Sequence, residues 1–192
     1  MTEQELSIEI KNCISVLKSG GTILYPTDTI WGIGCDATNE QAVEKIFAIK
    51  NRIASKSLIV LVNDNAMLNK YVKTVPAMAW DILQYTTKPT TIIYPNGMNV
   101  AKNVLADDGS IAIRMIKETF CNKLIYQFKK PIVSTSANVS GEPSPSAFFE
   151  ISDDIYKGVD YVVKLRQREK KNATTSSIIK IEVNGEIKII RK

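Results

Sequence analysis

The chain has 192 residues, 44% of them hydrophobic, and carries 25 Lys and Arg against 20 Asp and Glu for a net charge of +5. That length and apolar content suffice to bury one sizeable core, so residues 1–192 read as a single domain. The sequence contains no histidine, which excludes Ser-His-Asp and Cys-His catalysis and every His-based metal site. Three cysteines, Cys13, Cys35 and Cys121, show no CxxC spacing and point to a reducing, cytoplasmic setting. No apolar run reaches membrane-spanning length, and the acidic N-terminal stretch is not a signal peptide. The positive charge suits phosphate-bearing partners without requiring nucleic acid.

Thr2-x-x-Glu5 is a capping box that opens a helix with Leu6, Ile10, Cys13, Ile14 and Leu17 on one face, closed by Gly20-Gly21. Thr22 to Tyr25 is a short β-prone run ending at Pro26, which cannot continue a central ladder. Thr27, Asp28 and Thr29 then pack two hydroxyls and a carboxylate into a turn, and Gly32 and Gly34 relieve the backbone. A second capping box, Thr38-x-x-Gln41, starts a helix that buries Ala42, Val43, Ile46, Phe47 and Ile49 and ends on Lys50-Asn51-Arg52. Trp31 and Phe47 read as core. Leu58 to Val62 is a continuous apolar run, expected as a strand covered on both faces. Helices are expected near Asn65 to Val72 and from Pro76 to Tyr85, with Pro76 at the first helical position. Thr90 to Tyr94 reads as a strand with the turn Asn96-Gly97 behind it, Ser110 to Arg114 as a strand, Phe120 to Phe128 as a helix and Ile132 to Ser134 as a strand. Ala147 to Ile151 reads as helical and Tyr161 to Leu165 as extended. Ser176 to Val183 and Glu186 to Ile190 flank Asn184-Gly185, a hairpin signal. Strands and helices alternate and a hairpin closes the order, so the expected class is α/β with a twisted mixed sheet and flanking helices.

Gly32-Ile33-Gly34 lacks a third glycine and no G-K-[ST] occurs, so neither a Rossmann nor a P-loop nucleotide site is present. An anion site must be built from cations at element ends, Lys50, Arg52, Lys56 and Arg114, with hydroxyl-rich turns at Thr27 and Thr29, Ser134 to Ser140, and Thr174 to Ser177. Residues two apart on a helix point to different sides. If Lys50 and Arg52 serve one cleft, the helix must therefore stop at or near Lys50. Each piece also has a plainer reading. Arg52 and Lys56 fit helix-end cations, Arg114 fits a pair with Asp107 or Asp108, and Ser136-Ala137-Asn138 fits an Asx/ST turn. The run Lys164 to Lys171 holds five cations and one anion. It reads as a solvated, mobile loop, with an RNA-facing or substrate-covering segment as the functional alternative.

Tyr25-Pro26-Thr27-Asp28-Thr29-Ile30-Trp31-Gly32-Ile33 resembles the YPTDTVYGL signature of the YrdC-like family, to which the threonylcarbamoyl-AMP synthases belong. Lys50-x-Arg52 and Ser136-Ala137-Asn138-Val139-Ser140-Gly141 resemble that family's KxR and SAN-x-SG elements, in the same order. Thr87-Lys88-Pro89-Thr90-Thr91 and Arg114-Met115-Ile116 stand where the family has PGPxT and RxP. The resemblance implies a synthase that joins ATP, L-threonine and bicarbonate into L-threonylcarbamoyl-adenylate and pyrophosphate, the first step of tRNA N6-threonylcarbamoyladenosine formation. Position by position, it implies Lys50 and Arg52 as catalytic, and Thr29, Arg114, Ser134 and Ser177 on threonine. It implies Arg52, Lys56, Ser110, Ser136, Asn138, Ser144 and Arg191 on ATP. Mg²⁺ would arrive with ATP rather than in a protein-built site. tRNA or double-stranded RNA in a basic cleft and downstream transfer proteins are further implied partners. A YrdC-like paralogue that binds RNA or nucleotide without synthase activity is the alternative.

Overall fold

The structure, a computed structural model, describes residues 2–51, 58–169 and 175–192. Arg52, Lys56, Lys170, Lys171 and Thr174 lie outside the described residues. The chain opens on helix α1 (Glu3–Lys18), where Thr2 and Glu5 exchange the reciprocal bonds of the expected capping box at 3.1 and 2.7 Å. The apolar face of α1 packs on strand β1 (Ile23–Tyr25) and on helix α5 (Thr119–Phe128). Helix α2 (Glu40–Ile49) starts one residue later than its expected cap. Asn39 is the N-cap, accepting from the Ala42 amide at 3.1 Å. Thr38 is drawn away, donating both its amide and its hydroxyl to Asp36, so the Thr38/Gln41 box does not form.

Nine strands among the described residues form one sheet in the order β7-β1-β2-β6-β3-β5-β4-β8-β9. The remaining strands are β2 (Gly32–Gly34), β3 (Ile59–Val62), β4 (Thr90–Tyr94), β5 (Ile111–Met115), β6 (Ile132–Ser136), β7 (Tyr161–Val162), β8 (Ser177–Ile181) and β9 (Ile187–Arg191). The pairs β1–β7, β3–β5 and β4–β8 are parallel and the others antiparallel, so the sheet is mixed and the class is α/β, as the alternation of elements predicts. Helices α3 (Asn65–Tyr71), α4 (Ala77–Tyr85) and α6 (Asp153–Gly158) complete the α-helices among the described residues. No helix among the described residues is long and apolar enough to cross a membrane.

Several local expectations change. Gly32 to Gly34 is a central strand rather than relieved backbone, paired with β1 and β6; glycine is needed at Gly34 because a Cβ there would meet the Val133 carbonyl at 2.6 Å and the Tyr25 ring at 2.7 Å. Pro76 is an N-cap in extended geometry, one position before the first helical residue. The stretch 147–151 is a single 3-10 turn, Phe148–Glu150, since Glu150 is committed to the backbone of Ser146 and Ala147. β3 is not covered on both faces: Ile59 is half-buried and lines an open cleft. The basic run is not a free loop through Glu169. Leu165 is buried, and Arg166 binds Thr27, Glu118 and Glu169.

Candidate active site

The β1–β2 turn is tied by its own hydroxyls. Thr27 Oγ1 donates to the Ile30 carbonyl at 2.7 Å, accepts from the Thr29 amide at 3.0 Å and lies 2.9 Å from Thr29 Oγ1. Both threonines are buried. Burial raises the Cys121 thiol well above its usual range, with Glu118 adding to it; kept protonated, the thiol donates to the Pro26 carbonyl at 3.3 Å.

Strand register sets what faces this turn. Paired residues point to the same side of a sheet. The row Leu61, Arg114, Thr91, Ile178 and Arg191 therefore puts two arginines on one face. The next row on that face runs Ser134, Ile59, Ala112, Ile93 and Lys180. Arg114, only 4% exposed, donates Nη1–H to Thr29 Oγ1 at 3.2 Å and sets Nη2 3.3 Å from Asp28 Oδ1. Its Nε–H is buried with no hydrogen-bond acceptor. Arg191 donates Nε–H and Nη2–H to the Ser176 carbonyl at 3.0 and 2.8 Å, and Ser176 Oγ meets Thr91 Oγ1 at 2.8 Å. Partial burial, reinforced by the nearby Arg114 charge, pulls Arg191 below the usual guanidinium range. Two like charges thus share one wall. An anion placed between them would relieve the repulsion.

Thr29, Arg114, Ser176 and Arg191 line a cleft of about 210 Å³ whose other wall is β6 and the loop after it. Ser134, Thr135, Ser136 and Ser144 stand along it, with Gly32 opposite Ser136 in the β2–β6 ladder. A Cβ at Gly32 would come within 3.3 Å of Ser134 Oγ and 3.2 Å of the Thr135 carbonyl, so glycine keeps this end of the cleft open.

Of the expected site residues, Thr29, Arg114, Ser134, Ser136, Ser144 and Arg191 meet at this cleft. Four others do not line it. Ser177 is on the wrong side of β8: alternation turns it away and presents Ser176 instead. Ser110 shares the Arg114 face but sits two pleats along β5, roughly 13 Å away at about 3.3 Å per residue; its amide caps Asp108 at 2.9 Å. Lys50 is the C-cap of α2 and almost wholly buried, its ammonium donating to the Ser136 and Asn138 carbonyls. Asn51 follows in left-handed geometry at φ 48°, so the helix does stop at Lys50. The Asn138 amide donates to Val139 and Glu142 at 2.8 Å each, closing the loop on itself. Lys50 and Asn138 thus shape the serine loop from behind. Arg114 pairs with Asp28, and not with Asp107 or Asp108; Asp108 pairs with Lys180 at 3.2 Å instead. Asp28 and Thr91 were not singled out as ligand residues by the sequence, and Thr175 and Ser176 entered only as members of the hydroxyl-rich stretch Thr174 to Ser177. For Asp28 the one available signal was a lone carboxylate inside a hydroxyl-rich turn.

A profile of the Sua5, YciO and YrdC proteins, described as telomere recombination, matches residues 15–192. The chain belongs to the Sua5/YciO/YrdC family. Among individual relatives, the threonylcarbamoyl-AMP synthase of Pseudoalteromonas translucida (strain TAC 125) is 33% identical over 181 residues, covering 93% of this chain and 95% of that one. The structure of Pyrococcus abyssi Sua5 complexed with L-threonine superposes with a TM-score of 0.79 at 28% identity, over 89% of this chain and 50% of that one. This Sua5/YciO/YrdC chain therefore spans about half the length of that relative. E. coli YciO shares the fold at a TM-score of 0.83 and 21% identity, over 97% of this chain and 89% of that one.

Proposed function

We propose that this chain is an L-threonylcarbamoyladenylate synthase, joining ATP, L-threonine and bicarbonate with release of pyrophosphate, at the head of N6-threonylcarbamoyladenosine formation on tRNA. The observation that carries the reading is Arg114: a buried guanidinium tied to Thr29 and Asp28, with an unsatisfied Nε–H, at a cleft that a second arginine and a row of serines share. Such a group binds a small carboxylate by charge and planar fork. Threonine's carboxylate would lie against Arg114, with Thr29 and Ser134 beside it.

The triphosphate would lie toward Ser136, Ser144, Ser176 and Arg191. Three bonds to Ser176 leave the two N–H groups on Arg191 Nη1 outside that clamp. Arg52 and Lys56, outside the described residues, are proposed for the phosphates on sequence grounds. The threonine amine captures CO₂ derived from bicarbonate as a carbamate. A carbamate oxygen then bonds to the α-phosphorus while the bond to pyrophosphate breaks. Such transfer depends on positioning and charge neutralisation, so the lack of histidine is no obstacle. No cluster of three His, Cys, Asp or Glu side chains that could hold a metal ion exists among the described residues. Mg²⁺ is accordingly proposed to come bound to the ATP phosphates, whose charge it offsets. The product, a reactive mixed anhydride, would pass to a tRNA-modifying transferase. The +5 charge would favour tRNA nearby, and the three free, buried thiols fit a cytoplasmic protein.

A pyrophosphate-release assay tests the reading. Release should require ATP, threonine and bicarbonate together, and omission of any one should abolish it. Release independent of threonine, or salt-sensitive RNA binding with no turnover, would favour a non-synthase member of the family.

A further inference from the structure

Arg166 belongs to the basic run that the proposed chemistry leaves unused, yet its side chain is only 13% exposed. Its backbone is left-handed at φ 60°, a conformation that is costly for a non-glycine residue and persists only where neighbours enforce it. The neighbours do enforce it. Leu165 is buried, the Lys164 amide donates to Glu9 at 3.0 Å, and Gln167 reaches back to the Val163 carbonyl at 2.9 Å.

What this geometry delivers is a three-way guanidinium clamp. Arg166 Nη1–H donates to the Thr27 carbonyl at 3.2 Å and to Glu118 Oε1 at 3.3 Å, while Nε–H donates to Glu169 at 2.8 Å. The other Glu118 oxygen caps α5 at the Cys121 amide, 2.8 Å away, and the Cys121 thiol returns to the Pro26 carbonyl. The circuit is closed: turn, Arg166, Glu118, α5, Cys121, turn. Inside the turn, Thr27 Oγ1 holds the Thr29 amide, and Thr29 holds Arg114.

We infer that Arg166 is a positioning residue for the threonine side of the cleft, acting through the Thr27 carbonyl to hold Thr29 and Asp28 against Arg114. Among the described residues its side-chain hydrogen bonds go to Thr27, Glu118 and Glu169 and to no group placed on the ATP side, so its loss should fall on one substrate. The kinetic readout rests on the synthase reading, and a second readout does not. In Arg166→Ala the KM for threonine should rise roughly 10-fold or more, the scale of a lost charge-assisted hydrogen bond, with the KM for ATP and the kcat at saturating threonine near wild type. Arg166→Lys should recover part of this, since a point ammonium does not reproduce the spread of the guanidinium fork over its three acceptors. Hydrogen–deuterium exchange should quicken in residues 26–31 and stay unchanged in α1 and β3. An unchanged threonine KM, or equal rises for both substrates, would overturn the inference. Should wild-type protein show no threonine-dependent turnover, the synthase reading fails, and exchange alone decides Arg166: unaltered exchange over 26–31 overturns the clamp. Should Arg166→Ala not fold, Arg166→Lys decides by the same measurements.

Discussion

Replacing Arg114 with lysine keeps the charge and removes the fork. The guanidinium spans two partners, Thr29 Oγ1 at 3.2 Å and Asp28 Oδ1 at 3.3 Å, and retains a buried Nε–H without an acceptor. A lysine ammonium is one point with three donors. It can pair with Asp28 or reach a ligand carboxylate, and it cannot hold Thr29 in the same plane. The loss expected for threonine is that of one charge-assisted bond, about 1.5–3 kcal/mol, or roughly 10- to 150-fold in dissociation constant. Stability should change less, by under about 1.5 kcal/mol, because Asp28 keeps a counter-ion. Its side chain is 22% exposed, which further limits the cost of a looser pair. Calorimetric titration of threonine, with and without a non-hydrolysable ATP analogue, reads the first quantity and urea unfolding the second. Folded Arg114→Lys protein with unchanged threonine affinity would refute the assignment of the carboxylate to this arginine. A loss as large for the ATP analogue as for threonine would refute it equally.

Lys50→Ala should remove the donors to two carbonyls behind the serine loop and destabilise by about 2–5 kcal/mol, measured by urea unfolding; a small change would contradict this structural role. Gly34→Ala should cost about 1–3 kcal/mol or more by overpacking, because the new methyl meets a strand carbonyl and a buried ring, and an unchanged melting temperature would contradict the packing. The Ser110 hydroxyl, the Ser110 amide and Lys180 together push Asp108 down to about 2. With an unfolded value near ~3.9, this contribution is present above that pH and is lost as pH falls toward 2, so Asp108→Asn should flatten the acid limb of melting temperature against pH. Serine should be used less well than threonine, since a pocket that accepts the methyl loses about 1–3 kcal/mol without it; equal specificity constants would exclude such a pocket.

The β-branched runs at 58–62, 90–94 and 111–115 and the capped helix at Glu3–Lys18 are visible in the sequence because local chemistry alone determines them. β2 is not, since Gly-Ile-Gly carries no strand propensity; it is a strand through its pairing with β1 and β6, and the close approach of β6 and the Tyr25 ring is what requires glycine at Gly34. The six-residue α6 is too short to show a helical period. At the site, parity was the obstacle: a hydroxyl-rich stretch was evident around Ser177, but whether Ser176 or Ser177 faces the cleft depends on pairing with β4. Partner choice was hidden in the same way. Asp107 and Asp108 are near Arg114 in sequence, yet Asp28 is near it in space. Lys50 and Asn138 stood out as polar groups in a motif, and only the fold turns their donors back onto the end of β6 and the loop that follows it.

The sheet order also fixes when the cleft can exist during folding. Arg114 meets Thr29 across 85 residues of chain and Arg166 meets Thr27 across 139, so no segment of modest length holds a working half of the site. Such distant pairings form slowly, because loop-closure entropy is spent before the contacts repay it. β6 is the seam: it hydrogen-bonds to β2 on one side and to β3 on the other, and until it docks, the turn bearing Thr29 and the strand bearing Arg114 belong to separate pieces of sheet. On refolding, helical signal should return first and substrate binding last. A chain halted before that seam closes would carry most of its secondary structure and no cleft.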